Sequence, residues 1–349
     1  MSASANSTKS TKKVATQTQP LTKPNKKEDT VATNQTKKEA TLPTTEHPLA
    51  HLIPNRDWYE NEDGEPTYIS RTIAGVRDLD AIAAAHRLHH NLILAGPTGS
   101  AKTSVTYAYG AWKQLPVVNI PCNGAAEPSM FIGKWVRLQD GSFDFKLGEL
   151  ALAVLHGGII LLDEVNFLKS NIGAYLHGLL DSRRTLSIPD AQGSSAPTSI
   201  KAHPDCLIVG AYNPDYHGTR PLNQAFKNRY CIQLDFPYLA EVEDKLLQSE
   251  SLLTLANNLR LEVQAGNLAT PISTNMLIET EELAMDEALG FDFAMVNFLN
   301  HFPEDERQPV KEVLVQIAPL IYAELFDDEY PLDGMFNPSI PAQPTQTQY

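Results

Sequence analysis

Asn91-Leu-Ile-Leu-Ala-Gly-Pro-Thr-Gly-Ser-Ala-Lys-Thr103 decides the fold. A short apolar run enters a Gly/Pro-rich turn, which is followed by Lys102-Thr103 and a segment with helical character. This is how a phosphate-binding loop is written. A buried strand delivers a turn whose backbone N–H groups wrap phosphate oxygens, and the next helix aims its positive end at the same anion. The candidate nucleotide-binding residues are Gly96, Pro97, Thr98, Gly99, Ser100, Ala101, Lys102, Thr103 and Ser104. In this reading Lys102 reaches the β- and γ-phosphates and the Thr103 hydroxyl holds Mg²⁺. The pattern G-x-x-x-x-G-K-[ST] asks for glycine where Ala101 stands.

Gly157-Gly-Ile-Ile-Leu-Leu-Asp-Glu164 is the partner stretch. Four consecutive aliphatics predict a strand buried on both faces, as parallel sheets require. It ends in two carboxylates at the strand's C-terminal edge, where ligands bind in open α/β sheets. Asp163 is the expected second metal-shell residue, and Glu164 is expected to activate a water for attack on the γ-phosphate. A third buried strand, Cys206-Leu-Ile-Val-Gly-Ala211, runs into Tyr212-Asn213-Pro214. Asn213 there either polarises the attacking water or caps the turn before Pro214.

Composition bounds the rest. The 349 residues are 42% hydrophobic and 20% charged, which is globular. No apolar run approaches the ~20 residues that span a bilayer, and the start of the chain lacks the apolar core of a signal peptide. Cys122, Cys206 and Cys231 lie far apart in apolar stretches and read as buried free thiols of a reducing compartment, so a cytoplasmic location is expected. A net charge of −14 argues against a duplex-binding surface. The eight lysines before residue 46 leave open a nucleic-acid or partner tether beside a plain solubilising tail. His86, His89 and His90 close a predicted helix over 78–90, and they lack the Cys or carboxylate partners of a metal site.

Residues 1–48 are too poor in aliphatics to offset their ordering entropy and are expected to be disordered. Folded sequence is expected over 54–237 as an α/β nucleotide-binding domain. Alternating runs around Asp140-Gly141 predict one hairpin, and 184–202 a second. Helical periodicity takes over across 238–326, and the Pro-, Gln- and Thr-rich 327–349 is read as a disordered tail.

Segments 96–103, 161–166, 211–216 and 225–230 together resemble an AAA+ ATPase, and more narrowly the MoxR group with its CbbQ/NorQ-like members. The resemblance implies a P-loop AAA+ domain with a parallel sheet flanked by helices, two β-hairpin insertions and a small α-helical lid. It implies ATP and Mg²⁺ as ligands, Asn213 as sensor 1, and Arg229 as an arginine finger acting on a neighbouring subunit, with Arg220 as second candidate. It further implies a ring, hexameric by expectation, that remodels a client. A separate partner with a von Willebrand factor A domain is also expected. The alternative is a nucleic-acid-directed motor or loader. One position departs: the family often carries an arginine, sensor 2, where Asn275 stands.

Overall fold

The structure is a computed structural model that describes residues 47–122, 127–214, 222, 224–331 and 333–336. A two-stranded ribbon, β1 (Thr72–Ile73) and β2 (Val76–Arg77), leads into α1 (Asp78–Arg87). Asp78 and Asp80 occupy the first turn of α1, where negative charge suits the helix dipole, and Leu79, Ile82 and Ala85 face the core. The aliphatic runs then form the strands β3 (Leu92–Ala95), β4 (Val117–Pro121), β7 (Gly158–Asp163), β10 (Cys206–Tyr212) and β11 (Ile232–Asp235). They lie parallel in the order β11-β3-β10-β7-β4.

Side chains alternate faces along each strand, so each aliphatic run feeds two cores. From β7, Ile160 and Leu162 join one apolar cluster while Ile159 and Leu161 join the other. Helices α2 (Lys102–Lys113), α4 (Glu149–His156) and α5 (Ser170–Leu180) cross between the strands. The short α3 (Pro128–Phe131) precedes the first hairpin, β5 (Gly133–Arg137) with β6 (Phe143–Leu147), whose turn carries Gly141 at positive φ. The second hairpin pairs β8 (Thr185–Ser187) with β9 (Ser199–Lys201). The hairpins are pinned together. Trp135 Nε1 donates to the Asp190 carbonyl at 2.9 Å, and Asp144 accepts from the Ser195 amide and hydroxyl at 2.8 and 2.6 Å.

After α6 (Gln224–Lys227) and β11, no strand follows among the described residues. Helices α7 (Ala240–Glu243), α8 (Glu250–Ala265), α9 (Thr274–Met285), α10 (Gly290–Asn300) and α11 (Glu304–Phe326) enclose a core of their own around Leu255, Leu277, Phe298 and Leu314. Ser249 and Ser273 cap α8 and α9 by accepting from the Leu252 and Met276 amides. Among the described residues no helix is long and apolar enough to cross a membrane.

Three expectations need correction. The folded part starts before Pro54: Leu49 is fully buried, and His47 Nε2 lies 3.2 Å from the Gly157 carbonyl. The apolar run Leu49-Ala-His-Leu-Ile53 is too short to show a period, yet Leu49 joins the apolar cluster on one face of the sheet with Leu52 packed against it. The segment after 327 is not wholly tail. Tyr330 packs on Phe291 and Tyr322, and Phe336 is buried, so two aromatics anchor a stretch whose composition reads as disordered. Cys231 is exposed at the start of β11, whereas Cys122 and Cys206 are buried. Its apolar neighbours mislead because they point into the sheet and it does not. The expected 1–48 tail falls outside the described residues except for 47 and 48.

Candidate active site

The loop between β3 and α2 lies at the C-terminal edge of the sheet, and its shape depends on three small residues. Gly96 passes under the end of β11, where a Cβ would lie 2.2 Å from the Phe236 carbonyl oxygen. Gly99 takes φ +69°, and a Cβ there would meet the Ser273 Cβ at 2.6 Å. Ala101 also adopts the left-handed conformation, φ 66°, immediately before α2. A Cβ in that conformation costs about 1–2 kcal/mol, which explains the glycine of the general pattern. Ala101→Gly removes that strain but loosens the unfolded chain. The expected outcome is a melting temperature unchanged or raised by a few degrees with nucleotide binding kept; a clear fall in calorimetry would contradict the strain.

Thr98, Gly99, Ala101, Lys102, Thr103 and Ser104 line a cleft of ≈ 190 Å³ together with Asp163, Glu164, Tyr212, Asn213 and Asn275. Lys102 Nζ donates to the carbonyls of Gly96 and Pro97 at 2.9 and 2.6 Å. Burial pushes its pKa down to about 8, with Asp163 opposing and Arg71 adding to the shift. Ser100 is buried behind the loop, its hydroxyl donating to the Pro97 carbonyl at 2.9 Å. The Thr103 hydroxyl donates to Asp163 Oδ2 at 3.5 Å, and the Glu164 amide donates to Asp163 Oδ1 at 3.0 Å. Glu164 itself has φ 54°, a costly conformation for a non-glycine residue and one that clusters at functional sites. Asn213 Nδ2 donates to Thr98 Oγ1 at 3.4 Å.

Arg229 is not in this cleft. Its Nη1 donates to the His177 carbonyl at 2.8 Å, and its own carbonyl accepts from Asn91 Nδ2 at 3.1 Å. Asn91 precedes β3, so Arg229 lies at the other end of the strand that delivers the loop, lining a separate cleft with Asp181 and Arg184. Arg220 lies outside the described residues. His86 Nδ1 is paired with the Tyr109 hydroxyl at 3.0 Å. Among the described residues no three His, Cys, Asp or Glu side chains group as metal ligands.

Two residues escaped the sequence reading. Arg71 Nη2 and Nη1 donate to the carbonyls of Ser100 and Pro237 at 2.8 and 3.0 Å. The Tyr238 hydroxyl donates to the Thr98 carbonyl at 2.6 Å. Neither belongs to a motif, since both act on backbone atoms distant in sequence.

Residues 91–230 match the family described as AAA domain (dynein-related subfamily). The uncharacterized protein YojN of Bacillus subtilis is 30% identical over 220 residues, covering 59% of this chain and 70% of YojN. Protein CbbQ of Hydrogenophilus thermoluteolus is 30% identical over 212 residues, covering 58% of this chain and 76% of CbbQ. The chain belongs to the MoxR group of AAA+ ATPases. Among solved structures, NtrX from Brucella abortus in complex with ADP aligns with a TM-score of 0.40 and 17% identity, over 71% of this chain and 61% of that one. The motifs of this AAA+ chain fall where its sheet brings strand ends together: the loop after β3, the acids after β7 and Asn213 after β10.

Proposed function

We propose that this AAA+ ATPase works as a ring, hexameric in its family's manner, that uses Mg-ATP hydrolysis between subunits to remodel a client protein complex. The observation that carries the reading is the division of the machinery. The loop, Asp163, Glu164 and Asn213 share one cleft, while Arg229 stands at the opposite end of β3.

ATP phosphates would compete with the Gly96 and Pro97 carbonyls for the Lys102 ammonium, and the N-terminus of α2 adds its dipole. The Thr103 hydroxyl and the Asp163 carboxylate are hard oxygen donors 3.5 Å apart, a donor set that suits Mg²⁺. Bound there, Mg²⁺ would neutralise charge building on the phosphate oxygens. Glu164 takes the proton of the attacking water, and Asn213, held toward Thr98, orients that water. Arg229 of each subunit acts on the nucleotide of the next, so hydrolysis requires assembly. Asn275 sits in the cleft without charge, so communication with the helical segment falls to other contacts.

Maturation of a metal-containing enzyme, with a von Willebrand factor A-domain protein as a separate partner, is the client role that the MoxR membership favours. Affinity capture with the full Glu164→Gln chain tests the remodelling part. A client retained with Mg-ATP and released with ADP is expected, whereas the same proteins recovered under both conditions would contradict nucleotide-driven remodelling.

A further inference from the structure

We propose that Arg71 and Tyr238 are positioning residues that hold the phosphate-binding loop in shape and tie it to residues 236–239, the connection from β11 into α7 that serves as the hinge of the helical segment; this rests on the ATPase reading above. A loop whose amides point inward at phosphate must turn carbonyls outward. Two of those carbonyls, at Thr98 and Ser100, are the acceptors that Tyr238 and Arg71 engage.

Arg71 is 4% exposed; its two terminal nitrogens go to backbone carbonyls, and its Nε faces the buried Asp78 carboxylate at ion-pair distance. Nη2 goes to the loop at Ser100 and Nη1 to Pro237, while the guanidinium lies 4.2 Å from the Phe236 ring centre. Asp78 Oδ2 lies 3.8 Å from Arg71 Nε and accepts from the Arg71 amide at 3.2 Å and from the Tyr68 hydroxyl, while Oδ1 accepts from the Leu79 amide. A buried ion pair is a poor device for stability alone, because apolar residues of similar volume often serve as well. The placement of Arg71 between two carbonyls 137 residues apart, Ser100 and Pro237, is instead a tie between loop and hinge.

Tyr238 continues the tie into the helices. Its ring lies 4.2 Å from the Arg260 guanidinium, which is bound at two points by the buried Glu243, 2.7 Å each. Glu243 also accepts from the Thr274 hydroxyl at 2.6 Å, at the first residue of α9. Ser273 next to it is the residue that a Cβ at Gly99 would run into. Loop residues 98 and 100 are therefore bonded to the hinge or to a side chain bound to it, and between them Gly99 leaves no room for a side chain beside the start of α9. A shift of the loop on phosphate binding is passed to α9 through these contacts, with no charged group at Asn275.

The test uses the full chain with Tyr238→Phe and Arg71→Lys, the first removing one hydroxyl and the second keeping the charge without the fork. Binding of N-methylanthraniloyl-ATP is measured in the Glu164→Gln background, and kcat and KM for ATP with Glu164 intact. Loss of one such hydrogen bond is expected to weaken nucleotide binding about 3- to 10-fold, with KM rising by a similar factor. ATP-dependent protection of residues 236–240 from limited proteolysis, present in the parent, should be lost in both variants. Folded variants whose affinity and protection stay within twofold of the parent overturn the proposal while leaving the ATPase reading intact. A parent chain that binds no nucleotide overturns both.

Discussion

Replacing Glu164 by Gln should abolish turnover, lowering phosphate release by about 10²- to 10⁴-fold, while Mg-ATP remains bound. The amide keeps the size of the carboxylate but cannot accept the proton of the attacking water. None of the groups proposed to grip phosphate is touched: Lys102, Thr103 and the loop amides contact other atoms, and the Glu164 amide, not its carboxylate, donates to Asp163. The left-handed turn at Glu164 is a backbone property that Gln can adopt at similar cost. Phosphate release and nucleotide binding, measured on the same preparation, separate the two effects. Unchanged turnover would remove Glu164 from the role of base, and lost binding would mean that the substitution disturbs the loop.

The second large effect belongs to Arg229. Arg229→Ala is expected to lower turnover about 10³-fold or more, as arginine fingers do, with ATP affinity nearly unchanged. The arrangement makes this separable, because Arg229 has no place in its own subunit's cleft. Its visible bond, to the His177 carbonyl, uses one guanidinium nitrogen at an exposed site and adds little to stability. A loss of turnover with an unchanged melting temperature is therefore expected. A large fall in melting temperature with proportionate loss of ATP binding would instead mark Arg229 as structural.

Much of this was legible in the chain, for a physical reason. Parallel strands buried on both faces must be written as unbroken aliphatic runs, so Ile159 to Leu162 and Cys206 to Ala211 announce themselves, and the acids and amide that follow them fall at one sheet edge. The hairpin around Asp140-Gly141 was readable because its turn needs the positive φ that Gly141 adopts. What stayed hidden acts through backbone atoms or through a single anchor. Arg71 and Tyr238 bind carbonyls, which have no identity in sequence. Leu49, Tyr330 and Phe336 lie in short apolar runs with no period to read, and only the folded core supplies their partners. Cys231 was misread because its apolar neighbours say which way they face, not which way it does. Ala101 looked like a defect in the loop pattern and turns out to take the left-handed conformation that the pattern's glycine serves.

The claim on which the rest depends is that each active site is completed by a neighbouring subunit. Lys102→Ala and Arg229→Ala chains, each inactive alone, should regain ATPase activity when mixed. Some interfaces then join the intact loop of the Arg229 variant to the intact Arg229 of the Lys102 variant. Recovery that rises with total protein concentration is the predicted result, and a mixture as inactive as its components, although co-assembled, would contradict it.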